Sequence, residues 1–204
     1  MTALRRLAVS RFALRVTYAM TAIENALFPR RKRCAANAAA RNGAPDGLIC
    51  GQAALRELPY GKCTMDYNGC EVVACHNALC LLGRPKPLGE TAAYFERHGL
   101  FRAGKWGTHV SAIPRYFERQ GFAVRTLLAD ECGDFAGRIA VFSFWNSARR
   151  LRSGVHTVAL ERTADGLHVY NLHGTDTAPC TQYRTFAEFL AQTDILPIRL
   201  VELT

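Results

Sequence analysis

The sequence predicts an α+β domain, with helices in the first part of the chain and an antiparallel sheet in the second. Of its 204 residues, 49% are apolar and 21% are charged, which is typical of a globular protein with a substantial core. Helical periodicity prevails up to about residue 120, and short strand patterns separated by turn signals follow. Helices that precede antiparallel strands along a chain indicate the α+β class.

Residues 1–47 are predicted to form a basic helical extension and a linker, and residues 48–204 to form the domain. Apolar side chains recur at steps of three and four over residues 2–28, and Pro29 with the basic run Arg30–Arg33 ends this pattern. A short helical tail and a linker rich in Ala, Asn and Gly follow over residues 34–47.

Positive charge is concentrated at the start of the chain. Residues 1–33 hold eight basic residues and one acidic residue, whereas the remainder holds 18 basic and 16 acidic residues. A nearly neutral domain gives no reason to expect specific binding of nucleic acid. The basic extension is expected to dock on an anionic membrane surface or an acidic partner, to cover a cleft as a pro-segment, or to pack on the domain by its apolar side.

Three helices are predicted at the start of the domain: Gly69 to about Leu82, Leu88–Arg97 and Val110–Gln120, each followed by a glycine. Asn68 and Glu71 fit a capping box for the first of them. The predicted strands are Phe122–Leu128, Arg138–Trp145, Val155–Glu161, Leu167–Leu172 and Ile195–Glu202, with a short helix at Phe186–Gln192. The turn Thr163–Gly166 predicts a hairpin between the third and fourth strands.

Cys70 is the candidate nucleophile because it falls in the first turn of a predicted helix. The unpaired N–H groups there and the positive end of the helix dipole favour a thiolate. The same N–H groups can form part of an oxyanion hole. The neighbouring carboxylate of Glu71 acts weakly against the thiolate, and a buried structural cysteine is the alternative interpretation.

His156 and Asn171 are predicted to complete the site from the two strands of the hairpin. If the loop is Thr163–Gly166, Asn171 lies diagonal to His156 on the same face of the sheet. The Asn171 side chain would then accept a hydrogen bond from one imidazole nitrogen, and the other nitrogen would face the thiol. A core histidine is the alternative for His156, and His173, directly opposite it in this register, is a rival base.

No metal site or cofactor is expected. Cys70, Cys75 and Cys80 repeat every five residues, so on a helix they point about 140° apart and do not converge on one ion. The eight cysteines are expected to be reduced thiols in the cytoplasm, since the start of the chain gives no convincing secretory signal. No run of 18 apolar residues predicts a spanning helix.

The segment Asn68–Leu79 resembles the nucleophile helix of the bacteriocin-processing double-glycine peptidases, which belong to the papain-like cysteine peptidases. Gly154–Leu160 is similar to their histidine strand, Leu167–Asn171 to the strand with their third catalytic residue, and Gly107–Phe122 to the intervening helix-turn. The resemblance spans about residues 60–175. It implies a papain-like fold in which helices pack on an antiparallel sheet.

The same resemblance implies roles for three residues. Cys70 would be the nucleophile, His156 the general base and acid, and Asn171 the residue that orients the imidazole. That family usually has a glutamine about six residues before the cysteine as an oxyanion donor. Thr64 stands at that position here, and Asn68 or Asp66 would have to take its place.

The sequence therefore predicts a cysteine peptidase that cleaves a peptide or protein substrate through a thioester acyl-enzyme, without a cofactor. One alternative is an acyl transferase that uses the same triad and passes the acyl group to an amine. The others are a catalytically inactive binding module on the same fold and a structural or metal-binding protein.

Overall fold

The computed structural model describes residues 10–28, 31–41, 43–175 and 177–204. The helices are α1 (Arg11–Leu27), α2 (Arg31–Ala40), α3 (Met65–Asn68), α4 (Cys70–Leu81), α5 (Leu88–His98), α6 (Ala112–Arg119) and α7 (Phe186–Gln192). The strands are β1 (Pro59–Tyr60), β2 (Cys63–Thr64), β3 (Val124–Leu128), β4 (Ile139–Trp145), β5 (Val155–Thr163), β6 (Gly166–Tyr170), β7 (Thr181–Tyr183) and β8 (Leu196–Leu203). Single helical turns occur at Gln52–Leu55, Arg102–Gly104, Cys132–Asp134 and Leu151–Ser153. Helices that precede an antiparallel sheet confirm the α+β class.

One antiparallel sheet has the strand order β3-β8-β4-β5-β6-β7, while β1 and β2 form a separate ribbon. The final strand β8 is inserted between β3 and β4. In the β5–β6 hairpin Arg162 pairs with Leu167 and Thr163 with Gly166, which confirms the longer-loop register. The short strands β1, β2 and β7 were not among the sequence predictions.

Helices cover both faces of this sheet. Successive strand residues point to opposite faces. Val141 and Ala159 belong to the buried cluster that contains much of α4, whereas Phe142 and Val158 pack on the other side with residues of α7. The central strands β4 and β5 are consequently buried on both faces, in agreement with the nearly continuous apolar sequence of β4.

Helix α4 lies inside the molecule. All of its side chains from Cys70 to Leu79 are buried, as expected for a helix that is apolar around most of its circumference. At Gly69, just before the helix, a Cβ atom would overlap the side chain and main chain of Met65. Only glycine therefore allows the chain to pass from α3 directly into α4.

The predicted capping box is wrong. The residue before α4 is Gly69, which makes no side-chain capping bond. Asn68 instead ends α3, and its side-chain amide donates to the carbonyl of Gly104. The prediction failed because the turn α3 occupies the positions that a free N-cap would need.

Among the described residues the N-terminal part of the chain contains two helices, and the second corresponds to the predicted short helical tail but begins at Arg31 instead of residue 34. Arg31, Lys32 and Arg33 open α2, so this basic run does not separate helix from linker as predicted. Residues 2–9 of the predicted first helix, as well as Pro29 and Arg30, lie outside the described residues.

A buried ion pair joins the end of α2 to the domain. Arg41 Nη2 donates to Glu96 Oε2 at 2.9 Å, and the side chains are 0% and 1% exposed. Asn37 Nδ2 and the Gly61 amide both donate to Glu96 Oε1, at 2.6 and 2.9 Å. A buried carboxylate with three donors is well satisfied, and removing one partner of such a pair is costly.

Candidate active site

A cleft with a volume of about 890 Å³ opens among the described residues. Its walls combine residues from distant parts of the sequence: Leu14 and Thr17 of α1, Gln52, the α3–α4 junction, residues 101 and 105–110, residues 145–146 and 152–156, residues 172–174 and Ile198. Cys70 and His156 both line it. Two of the three predicted catalytic side chains therefore open into one space, although 85 residues separate them along the chain.

Cys70 is the first residue of α4 and is 7% exposed. Its thiol donates to Glu71 Oε2 at 3.3 Å. The backbone amide of Thr157, the residue after His156, donates to the same sulfur. The sulfur thus lies against the strand that carries the candidate base, and it lies in the first helical turn, where the amides have no intrahelical acceptors.

The protonation state of Cys70 differs from the sequence expectation. Burial, and secondly the Glu71 carboxylate, raise the pKa of the thiol well above its usual value. The Thr157 amide lowers it, but less strongly. The argument that the helix start favours a thiolate is therefore wrong for the unliganded site, because burial and a neighbouring acid outweigh the first-turn position.

Glu71 is the acidic side chain among the described residues that line the cleft. It is 3% exposed, and burial raises its pKa to about 7. Its own amide and that of Thr108 donate to the carboxylate and lower the pKa in part. Sequence reasoning treated Glu71 as a capping residue with a weak effect on Cys70, whereas in the fold it is a titratable group in contact with the sulfur.

His156 lies on β5 with its ring 5.8 Å from that of Phe144, edge to face. Its Nε2 donates to the main-chain carbonyl of Asn171 at 2.7 Å. A carbonyl oxygen only accepts, so Nε2 carries the proton and Nδ1 is the basic nitrogen of the neutral ring. This arrangement fixes the tautomer of the histidine through the main chain.

Asn171 is near His156 as predicted, but through a different atom. Its side chain was expected to accept from the imidazole. Instead Asn171 Oδ1 accepts from the main-chain amide of Gln52 at 2.9 Å, and Asn171 Nδ2 donates to the side-chain oxygen Oε1 of Gln52 at 3.0 Å. The physical reason is its left-handed backbone, with φ of 61°, which ends β6 at Tyr170 and turns the side chain out of the strand alternation.

Gln52 is the functional candidate that sequence reasoning missed. It is 7% exposed, lines the cleft, and donates through Nε2 to the carbonyl of Asp66 at 2.6 Å. The available signal was that Gln52 is the only glutamine before Cys70. It was overlooked because it stands 18 residues before the cysteine rather than six.

The suggested substitutes for that glutamine have other partners. Thr64 Oγ1 donates to Asp66 Oδ1, and the Asn68 side-chain amide donates to Gly104. Asn68 nevertheless borders the cleft. Gln52 and Asn68 are both side-chain amides that line the cleft with Cys70, and both already donate to a main-chain carbonyl, so a second oxyanion donor from either would have to exchange that partner for the substrate.

Two other histidines line the cleft. His173, the rival base, is exposed at its edge. His109 Nε2 is 2.8 Å from Thr17 Oγ1, and its Nδ1 accepts from the Ser111 amide. Burial, and secondly Arg199, lower the pKa of His109 to about 4, so it is neutral at physiological pH and is held by α1.

The rim of the cleft is aromatic and basic. Tyr67 and Trp106 are 73% and 68% exposed, and Lys105 and Arg152 lie beside them. Trp145 also lines the cleft, and its buried indole N–H has no hydrogen-bond partner in the described structure. Two exposed rings and one buried, unpaired indole N–H suit an extended chain with both apolar and carbonyl groups.

Several negative findings bear on the alternatives. No protein-family model and no curated protein matches the chain. The described residues contain no group of three or more His, Cys, Asp or Glu side chains suited to a metal ion. All eight cysteines are free thiols. Among the described helices, none combines the length and hydropathy that a bilayer-spanning helix needs.

Proposed function

We propose that this chain is a cysteine peptidase of papain-like fold that hydrolyses peptide bonds in a reducing, cytoplasmic compartment. The observation that carries the proposal is the shared cleft: Cys70 at the start of a buried helix, and His156 with its tautomer set by Asn171, open into the same space. The eight free thiols support a reducing compartment.

In the proposed reaction the Cys70 proton passes to Nδ1 of His156, and the sulfur bonds to the peptide carbonyl carbon. The Cys70 amide and one side-chain amide, that of Gln52 or Asn68, stabilise the oxyanion. His156 returns its proton to the leaving amine as the C–N bond breaks, which leaves a thioester. Water then attacks the thioester, giving its proton to His156, and the carboxylate product and the thiol are released.

Glu71 regulates the first step in this proposal. Its carboxylate stabilises the neutral thiol, so the thiolate forms more readily once Glu71 is protonated or displaced from the sulfur by substrate. Glu71→Gln should therefore lower the pKa of Cys70 and raise its rate of alkylation at neutral pH by about tenfold. The rate of iodoacetamide labelling at Cys70, followed by mass spectrometry over pH 5–10, measures this change.

The function is tested with a degenerate peptide library, with turnover read by mass spectrometry. Wild-type protein should cleave library members, Cys70→Ala and His156→Ala should not, and the matched control Cys80→Ser in the same helix should retain activity. Transfer of the acyl group to added amines in preference to water would assign the chain as an acyl transferase. Cleavage that survives Cys70→Ala would overturn both proposals.

A catalytically inactive peptide-binding module is the second candidate. The raised pKa of Cys70 favours it, because a neutral thiol is a weak nucleophile. In that case no library member is cleaved, yet some are retained by immobilised protein, and retention is insensitive to Cys70→Ala. Loss of retention on substitution of Trp106 would place the bound peptides in the cleft.

A further inference from the structure

Helix α1 directs its polar side chains toward the domain. The Thr17 hydroxyl contacts the His109 ring, and the Asn25 side-chain amide donates to the Leu100 carbonyl. The Glu24 carboxylate accepts from the main-chain amides of Arg102 and Ala103. Leu14 and Thr21 are buried on the same side. Hydrogen bonds and a few buried groups therefore hold this helix to the rest of the chain.

The outward side of α1 is apolar. At 100° per residue, five side chains fall within an arc of about 80° that faces solvent. Their exposed fractions run from 42% to 73%, and they are Phe12, Val16, Met20, Ile23 and Leu27. We call these five residues the α1 stripe. The adjoining Ala19 and Ala26 are exposed as well, so no charged side chain interrupts the stripe.

This surface is exceptional within the molecule. Nine large apolar side chains are exposed among the described residues, and six of them are the α1 stripe and the adjoining Phe28. Soluble proteins seldom leave a continuous apolar strip along a whole helix uncovered, and such surfaces mark contact with a partner or a membrane. The helix has 17 residues and is thus about 25 Å long.

The exposed charges that α1 and the start of α2 present beside the stripe are positive, apart from Arg11, which is neutralised by its ion pair with Glu131. Arg15 is exposed on α1, and Arg31, Lys32 and Arg33 are exposed at the start of α2. Glu24 is the only acidic residue between positions 10 and 41, and its carboxylate binds amides of the domain. An apolar strip with cationic flanks is complementary to lipid acyl chains beneath anionic headgroups.

We propose that α1 binds the surface of an anionic lipid bilayer, with the α1 stripe at the headgroup–acyl boundary and the four exposed cations on headgroup phosphates. A second copy of the chain fits this surface less well. Pairing through the stripe would bring Arg15 and the basic start of α2 of two molecules together, and residues 10–41 offer no exposed acid to offset them.

Bound in this way, α1 would separate the cleft from the lipid. Leu14 and Thr17 line the cleft from the inner side of the helix, while Val16 and Met20 face outward. One helix diameter, about 10 Å, would then lie between the cleft wall and the headgroups. The binding itself does not depend on the proposed peptidase activity, so each can fail without the other.

Vesicle co-sedimentation of the full-length chain tests the proposal. We expect binding to phosphatidylglycerol–phosphatidylcholine vesicles at low salt, and little binding to phosphatidylcholine alone. Each cation near an anionic surface contributes about fivefold in affinity. The triple neutralisation Arg31→Gln, Lys32→Gln and Arg33→Gln should therefore weaken binding by about hundredfold.

The stripe variant is the double substitution Ile23→Ser and Leu27→Ser. It removes much of the apolar contribution to membrane binding and should also release the protein from vesicles. The matched control is Leu48→Ser, which alters an exposed leucine outside the stripe and should bind like wild type. All these positions are exposed, and unchanged thermal melting verifies folding.

Three results would overturn the inference. The first is an absence of sedimentation with anionic vesicles at low salt, and the second is binding that the stripe variant retains. The third is a concentration-dependent dimer, seen by sedimentation velocity without lipid, that Ile23→Ser with Leu27→Ser abolishes. That outcome would assign the stripe to a second copy of the chain.

Discussion

Helices α1 and α4 are both rich in apolar residues, and the fold uses them in opposite ways. Helix α4 is enclosed by the sheet and its neighbours, so its side chains from Cys70 to Leu79 are buried. Helix α1 turns Thr17, Glu24 and Asn25 inward and leaves its apolar stripe outside. Apolar content therefore measures the potential of a helix for burial, while the groups that surround it decide whether burial occurs.

The strongest attachment of the N-terminal helices to the domain is expected at the Arg41–Glu96 pair, because it is buried, whereas the Arg11–Glu131 ion pair of α1 is largely exposed. Glu96→Ala should lower the free energy of unfolding by about 3–5 kcal/mol, because it leaves Arg41 as an uncompensated buried charge. Urea denaturation measures the loss. The matched control is Glu90→Ala, whose ion pair with Lys86 is exposed, and it should change stability by less than about 1 kcal/mol. Equal effects would contradict the burial assigned to Glu96.

One substitution type compares the two helices directly. Leu79 in α4 is 1% exposed and Leu27 in α1 is 67% exposed. Leu79→Ala should cost about 2–5 kcal/mol through lost burial and a cavity, whereas Leu27→Ala should stay within about 0.5 kcal/mol. Denaturation midpoints of the two variants, measured without lipid, give the comparison. A large effect at Leu27 would mean that the stripe is covered in the isolated protein.

The first turn of α4 should also make stability depend on pH. The pKa of Glu71 is raised from 4.5 to about 7, so the folded chain holds this proton where the unfolded chain has lost it. Stability of the wild type, relative to Glu71→Gln, should therefore fall as pH rises from about 4.5 through about 7, by at most about 3 kcal/mol. Unfolding free energies of both proteins, measured at half-unit pH steps, test the sign. A wild type that becomes more stable than Glu71→Gln as pH rises would refute the prediction.

The smallest effect is expected at Asn171, where two variants separate main-chain from side-chain roles. Asn171→Gly keeps the left-handed backbone and the carbonyl that accepts from His156, so peptide cleavage should fall by about tenfold or less. Asn171→Ala strains the same backbone and should cost more, since alanine disfavours positive φ. Greater activity in the alanine variant would show that the His156–carbonyl contact does not matter for turnover.

Much of the fold follows from local patterns. The helix predicted from Gly69 to about Leu82 is α4 at Cys70–Leu81, and the predicted short helix Phe186–Gln192 is α7. The hairpin register followed from the turn residues Thr163–Gly166 and the alternation of the flanking strands. Periodicity and turn chemistry act within a few residues, so the sequence reveals them directly.

The parts that could not be predicted depend on contacts between distant segments. A single left-handed residue at Asn171 redirects a side chain toward Gln52, 119 positions earlier, and strand alternation contains no sign of it. The burial that raises the pKa of Glu71 arises only once the loop before α6 closes over α4. For α1 the periodicity predicted a helix with a recurrent apolar side, but the expectation that this side packs on the domain is wrong, because the polar side chains find hydrogen-bond partners there and no local pattern reveals them.

The hydrogen bond from His156 to the carbonyl of Asn171 also has an evolutionary consequence. Every amino acid possesses this oxygen, so any residue that tolerates the left-handed backbone at position 171 can keep the imidazole oriented. Homologous chains with glycine or aspartate there would preserve the contact. A search for related chains that requires asparagine at this position would then discard chains that keep the contact.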